Sequence, residues 1–304
     1  MKTIFKKMIG ITLLSILSIQ QSNAQLASNA KTQYVEINGD KIGYRSFGNG
    51  TPLVLANRMR GTLDTWDPLF LDKLAVSHKV IIFDYPGIGY STGTLPTDMN
   101  TVATFMKDFS SAIKVQKFAM LGWSWGGFVT QITLLKYPEL VSHAVLVGTT
   151  PPGTKNDYFP IAENWVERAL KPVNNLEDEE ILFFDPSSEK SVQAAKASHD
   201  RIYARPGVES KIASTMDIFQ LFFKGHAGFK EDTKSREELI KTTTPILVLC
   251  GDNDISVPAE HWYKLSGKLK NAQFIVLPET GHGPQHQYPE LSAKYIDDFI
   301  KLSK

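Results

Sequence analysis

An open, mostly parallel α/β sheet flanked by helices, with a helical insertion, is the fold class this sequence predicts. Three observations predict it. Short, continuously apolar runs such as "PLVLAN" (52–57) and "PILVLC" (245–250) recur along the chain, as strands buried on both faces require. Helix-like stretches separate them, and strand–helix alternation is the signature of right-handed parallel crossovers. One interval, 151–243, holds only amphipathic helical patterns.

In order, "QYVEING" and "KIGYRSFG" read as an opening antiparallel pair joined at Gly39-Asp40. Buried-strand runs follow at 52–57, 79–87, 117–122, 143–150, 245–252 and 272–279, with helical stretches near 66–76, 99–114, 126–137, 259–269 and 288–303. In the interrupting interval, "NLEDEEILFF" and "SEKSVQAAKASHDRIYA" are introduced by the caps Asn175 and Ser188. The expected organisation is a core formed by 25–150 and 244–304, with 151–243 inserted as a helical lid above the C-terminal edge of the sheet, where open α/β folds place their sites.

The first residues differ. Lys2, Lys6 and Lys7 precede an apolar stretch from Met8 to Ile19, and Ser22-Asn23-Ala24 offers the small residues a signal peptidase needs. Residues 1–24 are expected to be a secretory signal peptide, making the mature protein exported, periplasmic or secreted, with no stable membrane insertion after cleavage. The single cysteine, Cys250, precludes an internal disulfide. A net charge of +1 over 304 residues gives no broad basic face, so no nucleic-acid partner is expected. No Cys/His set has metal-site spacing; His282 and His286 lie four apart without HExxH, and neither a metal nor a cofactor is expected.

The chemistry centres on "LGWSWGGF" (121–128). Ser124 follows the run "KFAML" at once and precedes a helical pattern, so the chain must turn sharply there. Gly122 and Gly126 allow that turn, and the helix N-terminus favours a developing anion. A serine hydroxyl needs a base to become nucleophilic. His282, in "TGHGPQH" just beyond a strand, is the first candidate, with His286 as a local competitor. In "GDNDISVP" both Asp252 and Asp254 are able to orient an imidazole; Asp254, further out on the loop, is preferred, and Asp252 is expected to brace the turn. The chain order Ser, Asp, His follows.

With these residues in place the chain resembles the α/β-hydrolase superfamily over its mature length. "GWSWGG", "GDNDISVP" and "GHG" each match the family pattern, and so does "DYPGIGYS" (84–91), in which Asp84 and Ser91 are expected to tie down a loop. The resemblance implies a helical lid at 151–243, a triad of Ser124, Asp254 and His282, and an oxyanion hole using the Trp125 backbone N–H. It departs after the third strand, where relatives carry His-Gly and this chain has Asn57-Arg58. By alignment Met59 becomes the second backbone donor, with the Asn57 amide as the alternative. Arg58 and Arg60 offer a cationic rim for an anionic substrate, against the plainer reading of arginines paired with Asp64 or Asp67. Trp66 and Trp125 are large enough to line an apolar pocket, whereas Phe183, Phe184, Phe219, Phe222 and Phe223 read as core.

The function expected is an exported serine hydrolase cleaving a small-molecule ester or lactone through an acyl-enzyme. Alternatives are a cofactor-free haloperoxidase or perhydrolase, an aminopeptidase-like hydrolase, or a ligand-binding receptor that retains the fold. The serine argues against the carboxylate-nucleophile chemistries of epoxide hydrolases and haloalkane dehalogenases.

Overall fold

The computed structural model describes residues 26–157 and 162–303. The expected signal segment, 1–24, lies outside them. Among the described residues no helix is long and apolar enough to cross a membrane.

The chain enters through α1 (Leu26–Asn29) and a hairpin of β1 (Gln33–Ile37) and β2 (Asp40–Phe47). Its two turn residues are Asn38 (φ 53°) and Gly39 (φ 88°), one position earlier than the sequence reading put them. Positive φ at both is what a two-residue hairpin with right-handed strand twist requires. The other strands are β3 (Thr51–Ala56), β4 (His78–Phe83), β5 (Phe118–Trp123), β6 (Val141–Val147), β7 (Ile246–Gly251) and β8 (Ala272–Leu277). The eight strands lie in the order β1-β2-β4-β3-β5-β6-β7-β8. From β4 to β8 every pairing is parallel, and β2 joins β4 antiparallel at one side.

The apolar runs sort by strict alternation. Val54, Ala56, Ile81 and Phe83 enter one core layer, while Leu53, Leu55, Val80 and Ile82 enter the other. Successive side chains of a strand point to opposite faces, so a strand covered by helices on both faces is apolar at every position. One layer packs under α3 (Met99–Ala112) and α4 (Trp125–Lys136); the other packs under α2 (Pro68–Leu74) and the C-terminal helix Pro289–Leu302. The Asp67 carboxylate caps α2 by accepting from the Leu69 N–H, and Asp98 caps α3 through Thr101.

Between β6 and β7 the chain leaves the sheet. It forms helices at Glu163–Ala169, Leu176–Phe183, Glu189–Tyr203, Met216–Glu231 and Thr233–Lys241, with a 3₁₀ turn at Glu209–Lys211. Asn175 caps the second of these in a reciprocal capping box with Asp178. Ser188 does not cap the third as expected; its hydroxyl donates to Glu279 instead, at 3.2 Å. The helix expected at 259–269 is a single α-helical turn, Glu260–Tyr263, continued by turns.

Parallel pairing decides where function sits. Ala56 aligns with Gly122, Trp123 with Val147, and Gly251 with Leu277. The loops after β3, β5, β7 and β8 therefore leave the sheet along one edge, as a parallel sheet demands. Met59, Ser124, Asp254 and His282 belong to those loops.

Candidate active site

Ser124 sits between β5 and α4 with φ 55° and ψ −117°, a backbone conformation that L-residues rarely adopt. Its neighbours leave no choice of residue. A Cβ at Gly126 would lie 2.0 Å from the Ala56 carbonyl oxygen, and one at Gly122 would lie 2.1 Å from the Gly126 oxygen. The first of these contacts sets the elbow against the end of β3, which brings Met59 and Trp125 to the same cavity. The Ser124 N–H donates to Val147 O at 2.9 Å, and its own carbonyl accepts from the Thr149 hydroxyl at 2.8 Å. Thus the turn is held from both sides. Trp125 opens α4, and its backbone N–H, the first of the helix, has no intrahelical acceptor and is free to meet an oxyanion.

The acid loop is equally determined. Asp254 is buried and directs one carboxylate oxygen, Oδ1, to the backbone N–H groups of Ser256 (2.9 Å) and Val257 (2.8 Å). Its Oδ2 lies 2.7 Å from His282 Nδ1. Asp252 instead accepts from the Thr280 N–H at 3.2 Å, bracing the turn beside β8. With the Nδ1 proton directed at Asp254, the lone pair of the imidazole is on Nε2.

His282 is positioned by its own backbone. Its carbonyl accepts from the Trp123 indole N–H at 2.8 Å, and Gly148 (φ 48°) lets it pack closely, since a Cβ there would meet the His282 carbonyl at 2.5 Å. The next residue, Gly283, donates its N–H to Phe183 O at 2.7 Å, linking the loop to the helical insertion. Sequence reasoning missed Trp123 and Thr149 as positioning residues. Trp123 lay inside the quoted motif, but nothing in the sequence tells that its indole reaches a loop 159 residues on.

Ser124 and His282 face one cavity of about 180 Å³. Met59, Trp125 and Arg58 line it from the core, and Trp165, Leu182, Phe183, Phe222 and Phe223 line it from the insertion. Phe183 and Phe222 thus reach the cavity as well as the core, whereas Phe223, expected in the core, is exposed and meets only the cavity; Phe184 and Phe219 do not line it. His226 and Phe128, unremarked in the sequence, also line it, with their rings stacked at 5.2 Å.

Two expected substrate contacts are corrected. Trp66 is buried beneath the site, packed on Phe70, Trp123 and His286, and it does not reach the cavity. Asn57 is wholly buried, and its amide nitrogen donates to Thr62 O (2.9 Å) and Thr65 Oγ1 (3.1 Å). No donor remains for an oxyanion. Its Oδ1 accepts the Arg58 N–H at 2.8 Å, so Asn57 shapes the loop that carries Met59. As expected, Asp84 and Ser91 tie down a loop: the Asp84 carboxylate accepts from the Leu63 and Tyr90 N–H groups, both at 2.7 Å, and the Ser91 hydroxyl donates to Asp84 O.

The two arginines part company, and neither pairs with Asp64 or Asp67. Those carboxylates are taken by Arg45 (2.7 Å) and Arg201 (2.6 Å). Arg60, at φ 65°, sends its guanidinium into the insertion, donating to the carbonyls of Ala169, Lys171, Pro172 and Ala213 and to Asn174 Oδ1 at 2.8–3.0 Å. It pins the insertion to the β3 loop. Arg60→Met leaves these acceptors without their donor, and buried polar groups left unpaired cost about 1–3 kcal/mol each before relaxation. The expected result is a lower denaturant midpoint, by about 2–4 kcal/mol in stability. An unchanged midpoint would contradict the pinning role.

His286, the competitor base, is buried against Trp66 and Trp123, and its Nε2 accepts from the Asp67 N–H at 3.3 Å. Burial lowers its pKa to about 4. Between pH 6.5 and about 4 the unfolded chain therefore binds the proton more readily than the native one. Stability is expected to fall as pH drops through that window, and His286→Gln to flatten the fall. A midpoint of thermal unfolding whose pH dependence is the same in both proteins would sink this expectation.

Sheet order, elbow, buried His–Asp pair and the apolar cavity beside them together define a hydrolase of the α/β type. The family profile described as "alpha/beta hydrolase fold" matches residues 51–289, and the chain belongs to that family. Among curated proteins it is similar to a pimeloyl-[acyl-carrier protein] methyl ester esterase of Legionella pneumophila, at 24% identity over 84% of this chain and 97% of that one. It is also similar to the human serine hydrolase BPHL (24%, covering 91% and 89%) and to the proline iminopeptidase PfmaB of Pestalotiopsis fici (26%, covering 88% and 99%). Among solved structures, an alpha/beta hydrolase fold protein from Chitinophaga pinensis superposes with a TM-score of 0.80 at 28% identity, over 91% of this chain and 99% of that one.

Proposed function

We propose that this hydrolase is an exported serine esterase acting on small-molecule esters or lactones, with Ser124 as nucleophile, His282 as base and Asp254 as the group that orients it. The observation that carries the reading is the buried 2.7 Å contact between His282 Nδ1 and Asp254, with His282 and Ser124 lining one largely apolar cavity. His282 Nε2 takes the Ser124 proton as the hydroxyl attacks the carbonyl carbon. The Trp125 and Met59 backbone N–H groups receive the oxyanion, and each such donor is worth about 10²–10³ in rate. The tetrahedral intermediate collapses as His282 returns the proton to the leaving alcohol. A water then enters, His282 removes its proton, and the acid departs with Ser124 restored.

The helical insertion acts as a lid, because its aromatic side chains line the cavity that holds Ser124. Excluding water there strengthens every electrostatic contact to the oxyanion. Export follows from the N-terminal pattern of lysines, apolar run and small residues. The test is turnover of a panel of 4-nitrophenyl esters, lactones and aminoacyl amides by the mature protein. Ester or lactone cleavage supports the reading; cleavage confined to aminoacyl amides would replace it with a peptidase, and peroxide-dependent halogenation without ester cleavage with a haloperoxidase.

A further inference from the structure

Arg58 differs from Arg60 in one telling respect. Every terminal group of Arg60 is directed at lid acceptors, whereas Arg58 has one internal acceptor, Met59 O, at 2.9 Å from Nη1. Its Nε is buried and has no hydrogen-bond partner. Among the described residues it forms no ion pair. Asp64 and Asp67 are committed to Arg45 and Arg201, and Glu179, whose charge is felt at Arg58, spends its two oxygens on His199 Nδ1 (2.8 Å) and the Tyr203 hydroxyl (2.7 Å). Burial pulls the guanidinium down to about 10, which still leaves it charged at neutral pH. The group is nonetheless rigidly presented, lying 4.3 Å from the Phe183 ring centre and 5.2 Å from that of Trp123. It lines the cavity that contains Ser124 and His282.

A partly desolvated cation without a counter-ion gains from an anion that joins it. A guanidinium fork matches a carboxylate better than any other side-chain cation does. We propose that Arg58 is a specificity residue that receives a substrate carboxylate, so that the preferred substrates are esters carrying a free carboxylate, such as monoesters of dicarboxylic acids. The lid supplies the apolar wall along the rest of the molecule, and the Arg58 backbone leads directly into Met59. Carboxylate binding therefore fixes the substrate beside the oxyanion donor. This inference rests on the ester-hydrolase reading above.

The experiment compares matched pairs in which a carboxylate replaces a methyl group. Monomethyl succinate, glutarate and adipate are set against methyl butyrate, valerate and hexanoate, and 3-acetoxypropanoate against propyl acetate. In the native protein kcat/KM is expected to favour the anionic member of at least one pair by about tenfold or more, through KM. Arg58→Met is expected to lower that ratio by about tenfold or more, and Arg58→Lys to restore part of it. Binding of glutarate against its neutral diamide, glutaramide, to the native protein, read by calorimetry, gives a second measurement that needs neither turnover nor a folded variant. Preference for the neutral member in every pair, an anionic preference unchanged in Arg58→Met, or equal binding of glutarate and glutaramide would overturn the proposal. Absence of Ser124-dependent cleavage in all pairs, with glutarate still bound selectively, would overturn the esterase reading and leave the anion site standing.

Discussion

Replacing Ser124 with alanine is expected to abolish ester cleavage, lowering kcat by about 10⁵–10⁶-fold. The size of the effect follows from the division of labour. Alanine keeps the cavity and the backbone donors, which contribute only about 10³–10⁴ over water. It removes the one atom able to form the acyl-enzyme. The φ of 55° at this position is unfavourable for alanine too, so the variant retains the backbone strain and isolates the hydroxyl. Steady-state kinetics on the best ester of the panel checks this, with near-ultraviolet circular dichroism confirming the fold. A loss of less than a hundredfold would show that another group performs the attack.

Asp254→Asn is expected to lower kcat by about 10⁴-fold, although it changes one atom. The reason lies in the clamp on the other side of the carboxylate. Two backbone N–H groups, of Ser256 and Val257, point at Oδ1 and require an oxygen there. The asparagine amide nitrogen must then occupy the Oδ2 position and donate to His282 Nδ1. That reverses the tautomer: Nδ1 becomes the acceptor, and the proton moves to Nε2, the nitrogen needed as base. Geometry is preserved while the chemistry is blocked. A variant that retains more than a tenth of native kcat would mean that Asp254 does not govern the proton on His282.

Much of this arrangement was legible in the residues themselves. Apolar runs such as "PLVLAN" announce strands covered on both faces, because only there is every position shielded from water. The glycines around Ser124 announce the elbow, because backbone contacts of about 2 Å leave room for nothing larger. The choice of Asp254 over Asp252 followed from distance along a loop, and the structure places Asp254 against His282. What stayed hidden was partnership across long separations. Nothing near Arg60 in sequence reveals that its acceptors lie 109 to 153 residues further on. Trp66 looked fit to line a pocket by size alone, yet it packs tilted against Trp123 and edge-on to His286 instead. Asn57 looked like a donor because its local competitors, Thr62 O and Thr65 Oγ1, become its partners only once the following turn has closed. Local patterns encode the strand, the elbow and the cap; a side chain's final contacts belong to the assembled fold.

The decisive measurement is covalent labelling of the native protein with a fluorophosphonate, followed by intact mass and peptide mapping. One adduct per chain on Ser124, with His282→Ala reacting far more slowly, is the expected outcome. A folded protein that takes up no label, or carries it on a different residue, would contradict a nucleophile at the β5–α4 elbow activated by His282.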